Sequence, residues 1–330
     1  MASIVAGVGA SHSIMLMTKA EDWPKFRDVD SSRVSYYFDK FGKPTTYEAL
    51  LAVADKDLEK ILTPEALHTK YQLCQKGLGT LREALARVGP DIIVIIGDDQ
   101  KEMLLEDNLP AFMVYWGKEI FNRPTSKIEP WDWYTAARRR YYETETRAFP
   151  VAADLGEHLI QKLMDAGFDV AQSTRQPEHV KEGEGHAFAF PRAVLMPDKA
   201  IPIVPVFINA YYPPNQPTAQ RCYEFGRSLH SAIESWPQSA RVALIATGGL
   251  SHFTLDEDFD RGLLDAMRKK DQKAIASVSS AKLKSGSGEI RNWIALAGAM
   301  ESLNIKWSDY VPCYRSPAGT GTGIAFALWE

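Results

Sequence analysis

Cysteine is scarce in this chain. Three in 330 residues (Cys74, Cys222 and Cys313) lie far apart and form no CxxC pair. Such a set excludes a disulfide framework and reads as buried thiols in a reducing compartment. Long apolar runs are missing too: the longest strongly apolar stretch, residues 92–96 (IIVII), is strand length, against the roughly 18 residues that a membrane helix needs. The N-terminal MASIVAGVGASHSIM lacks the basic start of a signal peptide. No sign of charge dominates: 38 Lys and Arg face 42 Asp and Glu, a net charge of −4, which offers no general field for nucleic acid or anionic lipid. Repeats, low-complexity tracts and a clear linker are also lacking. A soluble, cytoplasmic globular protein is the expectation.

The rest of the composition is ordinary for a globular chain, with 45% apolar, 24% charged and 11% aromatic residues, enough to bury a large core. Short β-branched runs alternate with helical spacing. Strands are predicted at residues 3–9, 91–96, 111–116, 168–172, 203–207 and 242–246, with closing strands near 311–314 and 324–329. Helices are predicted at 70–88, 152–166, 221–235, 257–270 and 289–303. This alternation predicts an α/β fold, a single domain over residues 1–330 with a mixed central sheet flanked by helices. Two aromatic-rich stretches interrupt it as lid-like excursions: one near 20–65, with Trp23, Tyr36, Tyr37, Phe38 and Tyr47, and one near 117–148.

Polar residues recur just after predicted strands: His12, Gln100, Asn209 and His252. In open α/β sheets the crevice beyond the strands' carboxyl ends is the usual ligand site. Each residue alone reads as turn chemistry; four from four strands make convergence worth testing. Histidine binds transition metals readily, so His12, between two serines, is a candidate ligand. His252, after Gly248-Gly249, is a candidate acid/base. His186, in the loop after Gly183-Glu184-Gly185, is a third candidate. His68, His158, His179 and His230 read as structural or surface residues. Glu289 follows Ser285-Gly286-Ser287-Gly288 and opens a helix, either as a favourable N-terminal acid or as a metal carboxylate. The glycine-rich residues 319–323 are no Walker loop, since no Lys-Ser or Lys-Thr ends them. Arg138-Arg139-Arg140 reads as a solvated face, with anion binding the alternative.

In order, residues 7–12 (GVGASH), 91–100 (DIIVIIGDDQ), 186–191, 204–214, 247–252 (TGGLSH), 289–300 and 317–329 resemble the class III extradiol ring-cleavage dioxygenases, typified by the catalytic subunit of protocatechuate 4,5-dioxygenase. The likeness spans nearly the whole chain, and its length and tyrosine-rich insertions look closest to single-chain members acting on gallate-type, O-methylated or biaryl lignin fragments. The resemblance implies that family's fold and a non-haem Fe(II) held by two histidines and a glutamate. It implies opening of a catechol- or gallate-type aromatic beside its hydroxyls with O₂. His12 matches the first metal histidine, Glu289 the glutamate, His252 the base and His186 the second active-site histidine. Asn209, Tyr211 and Tyr212 match the pocket wall. The second metal histidine is replaced by Gln100: either its amide oxygen binds the metal, or a nearby carboxylate, Asp99 or Glu102, does, or the iron site is weakened. Two other classes stay open, a metal-poor relative that binds aromatics or proteins without oxygenation, and a hydrolase or lyase using a non-redox metal. A homodimer is expected from base rates alone.

Overall fold

The computed structural model describes residues 1–32 and 37–330; of the aromatic positions singled out above, Tyr36 lies outside the described residues. Four parallel strands form the middle of the main sheet, in the order Ser3–Ala10, Arg241–Thr247, Ile92–Gly97, Ile203–Ile208. Next to Ile203–Ile208, Phe112–Tyr115 runs antiparallel, and Ala171–Ser173 pairs with it at the edge. On the other side Thr320–Trp329 runs antiparallel to Ser3–Ala10 and also pairs with Ile305–Tyr314 and His252–Thr254. The sheet is therefore mixed, with nine strands among the described residues.

Both of its faces are covered, which is why the central strands read as continuous apolar runs rather than alternating ones. Ile92, Val94, Ile96, Val242, Leu244 and Ala246 point to one face, under the helices Ala153–Asp165, Ala219–Glu234 and Ile290–Ala299. Ile93, Ile95, Ala243 and Ile245 point to the other, under Pro64–Val88 and His186–Leu195. The period of two along a strand sends neighbours to opposite layers, and each fully buried aliphatic contributes about 1.5–3 kcal/mol.

Two differences from the sequence expectation have clear local causes. The helix predicted over 70–88 starts earlier, at Pro64, because Thr63 caps it by accepting from the Ala66 N–H and proline at the first turn needs no hydrogen-bond donor. His186 opens a ten-residue helix, His186–Leu195, where a loop was expected; glycines before it and Pro191 inside it read locally as breakers. The 117–148 excursion holds the strand Glu119–Asn122 and the helix Asp132–Arg139, and Arg147–Pro150 pairs back onto that strand. Cys74, Cys222 and Cys313 are buried free thiols. No helix among the described residues is long and apolar enough to cross a membrane.

Candidate metal centre and catalytic site

Because the four central strands are parallel, the loops after them gather along one edge of the sheet. His12 follows Ser3–Ala10, Asp98 and Gln100 follow Ile92–Gly97, Tyr211 follows Ile203–Ile208, and Gly248–Gly249 follow Arg241–Thr247. The fifth contributor, Glu289, ends a short 3-10 turn, Ser285–Glu289, that runs into the helix Ile290–Ala299. This helix ties the loops together. Asn292 donates to Asp98 Oδ1 (3.1 Å) and to the Thr247 carbonyl (2.9 Å), and the Trp293 indole donates to the Gly248 carbonyl (2.7 Å). Residues 289, 292 and 293 share one helix face through their spacing of three and four. Gly248 is required where it stands: its φ is +126°, and a Cβ there would lie 2.7 Å from that of Glu289.

His12, Asp98, His186 and Glu289 are gathered so that one donor atom from each lies within 4.8 Å of the others. His12 Nε2 is 3.0 Å from His186 Nε2, 3.4 Å from Glu289 Oε1 and 3.9 Å from Asp98 Oδ1. Asp98 is 0% exposed and Glu289 1%. Burial, with the charge of Glu289, pushes the Asp98 carboxyl up to about 7. Glu289 is also opposed by burial, but the imidazoles of His12 and His252 hold it well below the usual carboxylate range. Asp98 Oδ2 and His12 Nδ1 are buried without a hydrogen-bond partner among the described residues. Two imidazoles and two carboxylates, one of them with an unpartnered oxygen, make a donor set that suits a divalent transition metal.

Hydrogen bonds at Nδ1 orient the rings of His186 and His252. His186 Nδ1 faces Glu102 Oε2 at 2.7 Å; an acid that only accepts makes Nδ1 the donor and turns Nε2 toward the cluster. Burial opposes the charged imidazole, yet Glu102 outweighs it and raises His186 to about 9, while Glu102, buried as well, is drawn down to about 2. In His252, Nδ1 donates to the Leu250 carbonyl (2.8 Å), so in the neutral ring the lone pair is on Nε2, which lies 3.5 Å from Glu289 Oε2. Its backbone N–H donates to Ser287 Oγ (2.9 Å).

A cavity of about 550 Å³, within the usual range for small-molecule sites, opens onto this cluster. His12, Gln100, His186, Tyr211, His252 and Glu289 all line it. Asn209 and Tyr212 are not among its lining residues. The Asn209 amide is spent on the turn below, donating to the Tyr212 carbonyl (2.6 Å) and accepting from the Tyr212 N–H (2.9 Å), which presents Tyr211. Of the two carboxylates weighed beside Gln100, Asp99 accepts from the backbone N–H groups of residues 102, 103 and 104, and Glu102 braces His186. Asp98 is the acid the sequence reading missed; nothing in DDQ distinguishes the first aspartate from the second. The 117–148 excursion supplies Thr125, Lys127, Tyr134, Arg138, Tyr141 and Tyr142 to the wall, and His179, read as a surface histidine, also lines it. The 20–65 stretch does not reach this cavity among the described residues.

Residues 60–324 match the family described as the catalytic LigB subunit of aromatic ring-opening dioxygenase. A gallate dioxygenase of Pseudomonas putida is 32% identical over 195 residues, 54% of this chain and 53% of the relative. The 2,3-dihydroxyphenylpropionate/2,3-dihydroxicinnamic acid 1,2-dioxygenase of Comamonas testosteroni is 28% identical over 179 residues, 54% of this chain and 48% of the relative. Its namesake from Rhodococcus is 26% identical over 237 residues, 70% of this chain and 66% of the relative. The chain thus spans about half to two thirds of the length of these relatives. With its mixed sheet, its buried cluster at the strand ends and this match over most of its length, the chain belongs to the family of the catalytic LigB subunit of aromatic ring-opening dioxygenases.

Proposed function

We propose that this chain is an extradiol dioxygenase that opens a catechol- or gallate-type aromatic ring with O₂, using Fe(II). The carrying observation is the buried quartet His12, Asp98, His186 and Glu289, of which His12, His186 and Glu289 line a cavity, with Nε2 of His252 beside it. His12, His186, Asp98 and Glu289 would hold the metal. An Fe(II) bound there supplies a centre at which the two adjacent oxygens of a catechol and O₂ can be brought together. His252 takes a proton from a substrate hydroxyl at Nε2, since its other nitrogen is committed to the Leu250 carbonyl. Tyr211, Tyr141 and Tyr142 frame the ring. Lys127, Arg138 and Lys181 line the cavity and suit a substrate that carries a carboxylate, as gallate and dihydroxyphenylpropionate do, the compounds named for the relatives. A lignin-derived aromatic acid of this kind fits the proposal, as does a single catalytic domain in which the 117–148 excursion forms the lid. The buried free thiols are in keeping with action in the cytoplasm.

The test is O₂ uptake by the Fe(II)-loaded protein across a panel of catechols, gallates and biaryl catechols, with a chelator control. Uptake that tracks formation of a ring-opened product is expected; product formed without O₂ overturns the reading in favour of a hydrolase or lyase. In the same assay His252→Ala is expected to lower the rate about 10²–10⁴-fold while keeping its metal; a variant that loses its metal would make His252 a ligand.

A further inference from the structure

Gln100 stands at the metal end of the cavity, and its amide can meet the cluster in two ways: through its oxygen, as a ligand, or through its NH₂, as a donor. The hydrogen bonds around it decide between them. Tyr211 donates its hydroxyl proton to Glu289 Oε1, because an ionised carboxylate can only accept. The Tyr211 oxygen is then left as an acceptor, and the Gln100 atom 3.0 Å from it must be a donor, the amide NH₂. The same Nε2 lies 3.3 Å from Glu289 Oε1. The other carboxylate oxygen, Oε2, accepts from the Gly249 N–H at 2.7 Å. Glu289 is thus held by donors at both ends, two side chains on Oε1 and a backbone group on Oε2.

Resting on the metal-dependent reading above, we propose that Gln100 is a positioning residue and not a ligand: together with Tyr211 it forms a hydrogen-bond clamp that orients the Glu289 carboxylate toward the metal. An orienting partner of this kind is worth about 10–100-fold in metal affinity. The proposal also accounts for the presence of Asp98 in the cluster. With the Gln100 amide turned to Glu289, the Ile92–Gly97 strand delivers its donor from two residues earlier, through the Asp98 carboxylate, whose Oδ2 has no hydrogen-bond partner among the described residues.

The experiment measures the affinity of the full chain for Mn(II) and Co(II) by competition with a chromophoric chelator, together with the visible spectrum of the Co(II) form. Gln100→Glu keeps the shape, removes the donor and sets a second carboxylate against Glu289. It is expected to weaken binding about 10–100-fold, whereas an oxygen ligand at position 100 would bind a hard cation more tightly as a carboxylate. Tyr211→Phe is expected to weaken binding as well. The pair Gln100→Ala and Tyr211→Phe is expected to lose less than the sum of the single losses, because both act on one oxygen of one carboxylate. The Co(II) bands of Gln100→Ala are expected to shift at unchanged helix content, a change that loss of packing alone would not make. Tighter binding in Gln100→Glu, or strictly additive losses, overturns the clamp. A wild-type chain that binds neither ion overturns the metal reading and the clamp with it; a wild-type chain that binds both while the variants match it overturns the clamp alone.

Discussion

Asp260 lies outside the cavity yet supports it. Fully buried on the helix Glu257–Lys269, it accepts from the Ser251 N–H (2.9 Å), the Ser251 hydroxyl (2.7 Å) and the Tyr310 hydroxyl (2.7 Å). Ser251 Oγ in turn accepts from the Asp256 N–H (2.7 Å), so the residue before His252 is anchored on both its backbone and its side chain. Burial raises the Asp260 carboxyl to about 6, while its hydrogen bonds pull the other way. A carboxyl whose folded value exceeds its unfolded one binds a proton more tightly in the native state. Its contribution to stability is therefore full below about pH 4 and is lost as pH rises through about 6. The stability of Asp260→Asn, followed by urea unfolding between pH 4 and 7, is expected to vary less steeply with pH over this window than that of the wild type. Asparagine has one acceptor atom for three donors, so a loss of about 1–3 kcal/mol is expected at low pH; an unchanged pH slope would show that Asp260 does not titrate there.

Among the elements, the 117–148 excursion sets the chemistry of the cavity mouth. Its helix Asp132–Arg139 carries Tyr134 and Arg138 to the wall, and Glu129 holds Arg138 by accepting from its Nε at 2.8 Å. Tyr142 reaches from the end of this stretch to Glu102 Oε1 at 3.4 Å, one step from His186. On the proposed function, a guanidinium in this place would favour a negative group on the substrate. Arg138→Gln is expected to raise KM about 10-fold or more for a carboxylated catechol, the scale of one charge-assisted hydrogen bond, and to leave KM for an uncharged alkylcatechol nearly unchanged. Steady-state kinetics on the two substrates checks it, and an equal rise for both would place Arg138 in the architecture of the wall and not in recognition.

For the whole molecule, the sheet's two covered faces bring acids together at its edge that no surface protein would keep so close. Asp98 and Glu289 are both excluded from water, and the proposed cation between them would remove their repulsion. Because only the folded chain gathers the four donors, metal binding adds to folding stability, about 2.7 kcal/mol at a hundredfold excess of metal over Kd. Thermal unfolding is expected to shift upward by several degrees on adding Mn(II) to metal-free protein. Asp98→Asn, which keeps an acceptor for Asn292 and removes one charge, is expected to shrink that shift and to stabilise the metal-free form. A full-sized shift in Asp98→Asn would remove Asp98 from the cluster.

The sequence by itself determined the sheet and much of the site's location. DIIVII and VALIA read as strands buried on both faces, and because such strands run parallel in the sheet the residues that follow, His12, Gln100 and the TGGLSH segment, emerge on one edge. Glu289, opening a helix after a glycine-serine loop, read equally as an N-terminal acid and as a metal carboxylate, and only the fold sets it beside His12 and His252. Tertiary structure decided which donor each loop presents. Asp98, Asp99 and Gln100 are adjacent polar residues, and their roles separate through their partners: Asn292, far along the chain, for Asp98, the turn just after it at residues 102–104 for Asp99, and the distant Tyr211 and Glu289 for Gln100. The partner of His186, Glu102, is 84 positions away. A hydrogen bond depends on direction within a few tenths of an ångström, and that direction is set by the packing of the whole sheet, which no local pattern of residues encodes.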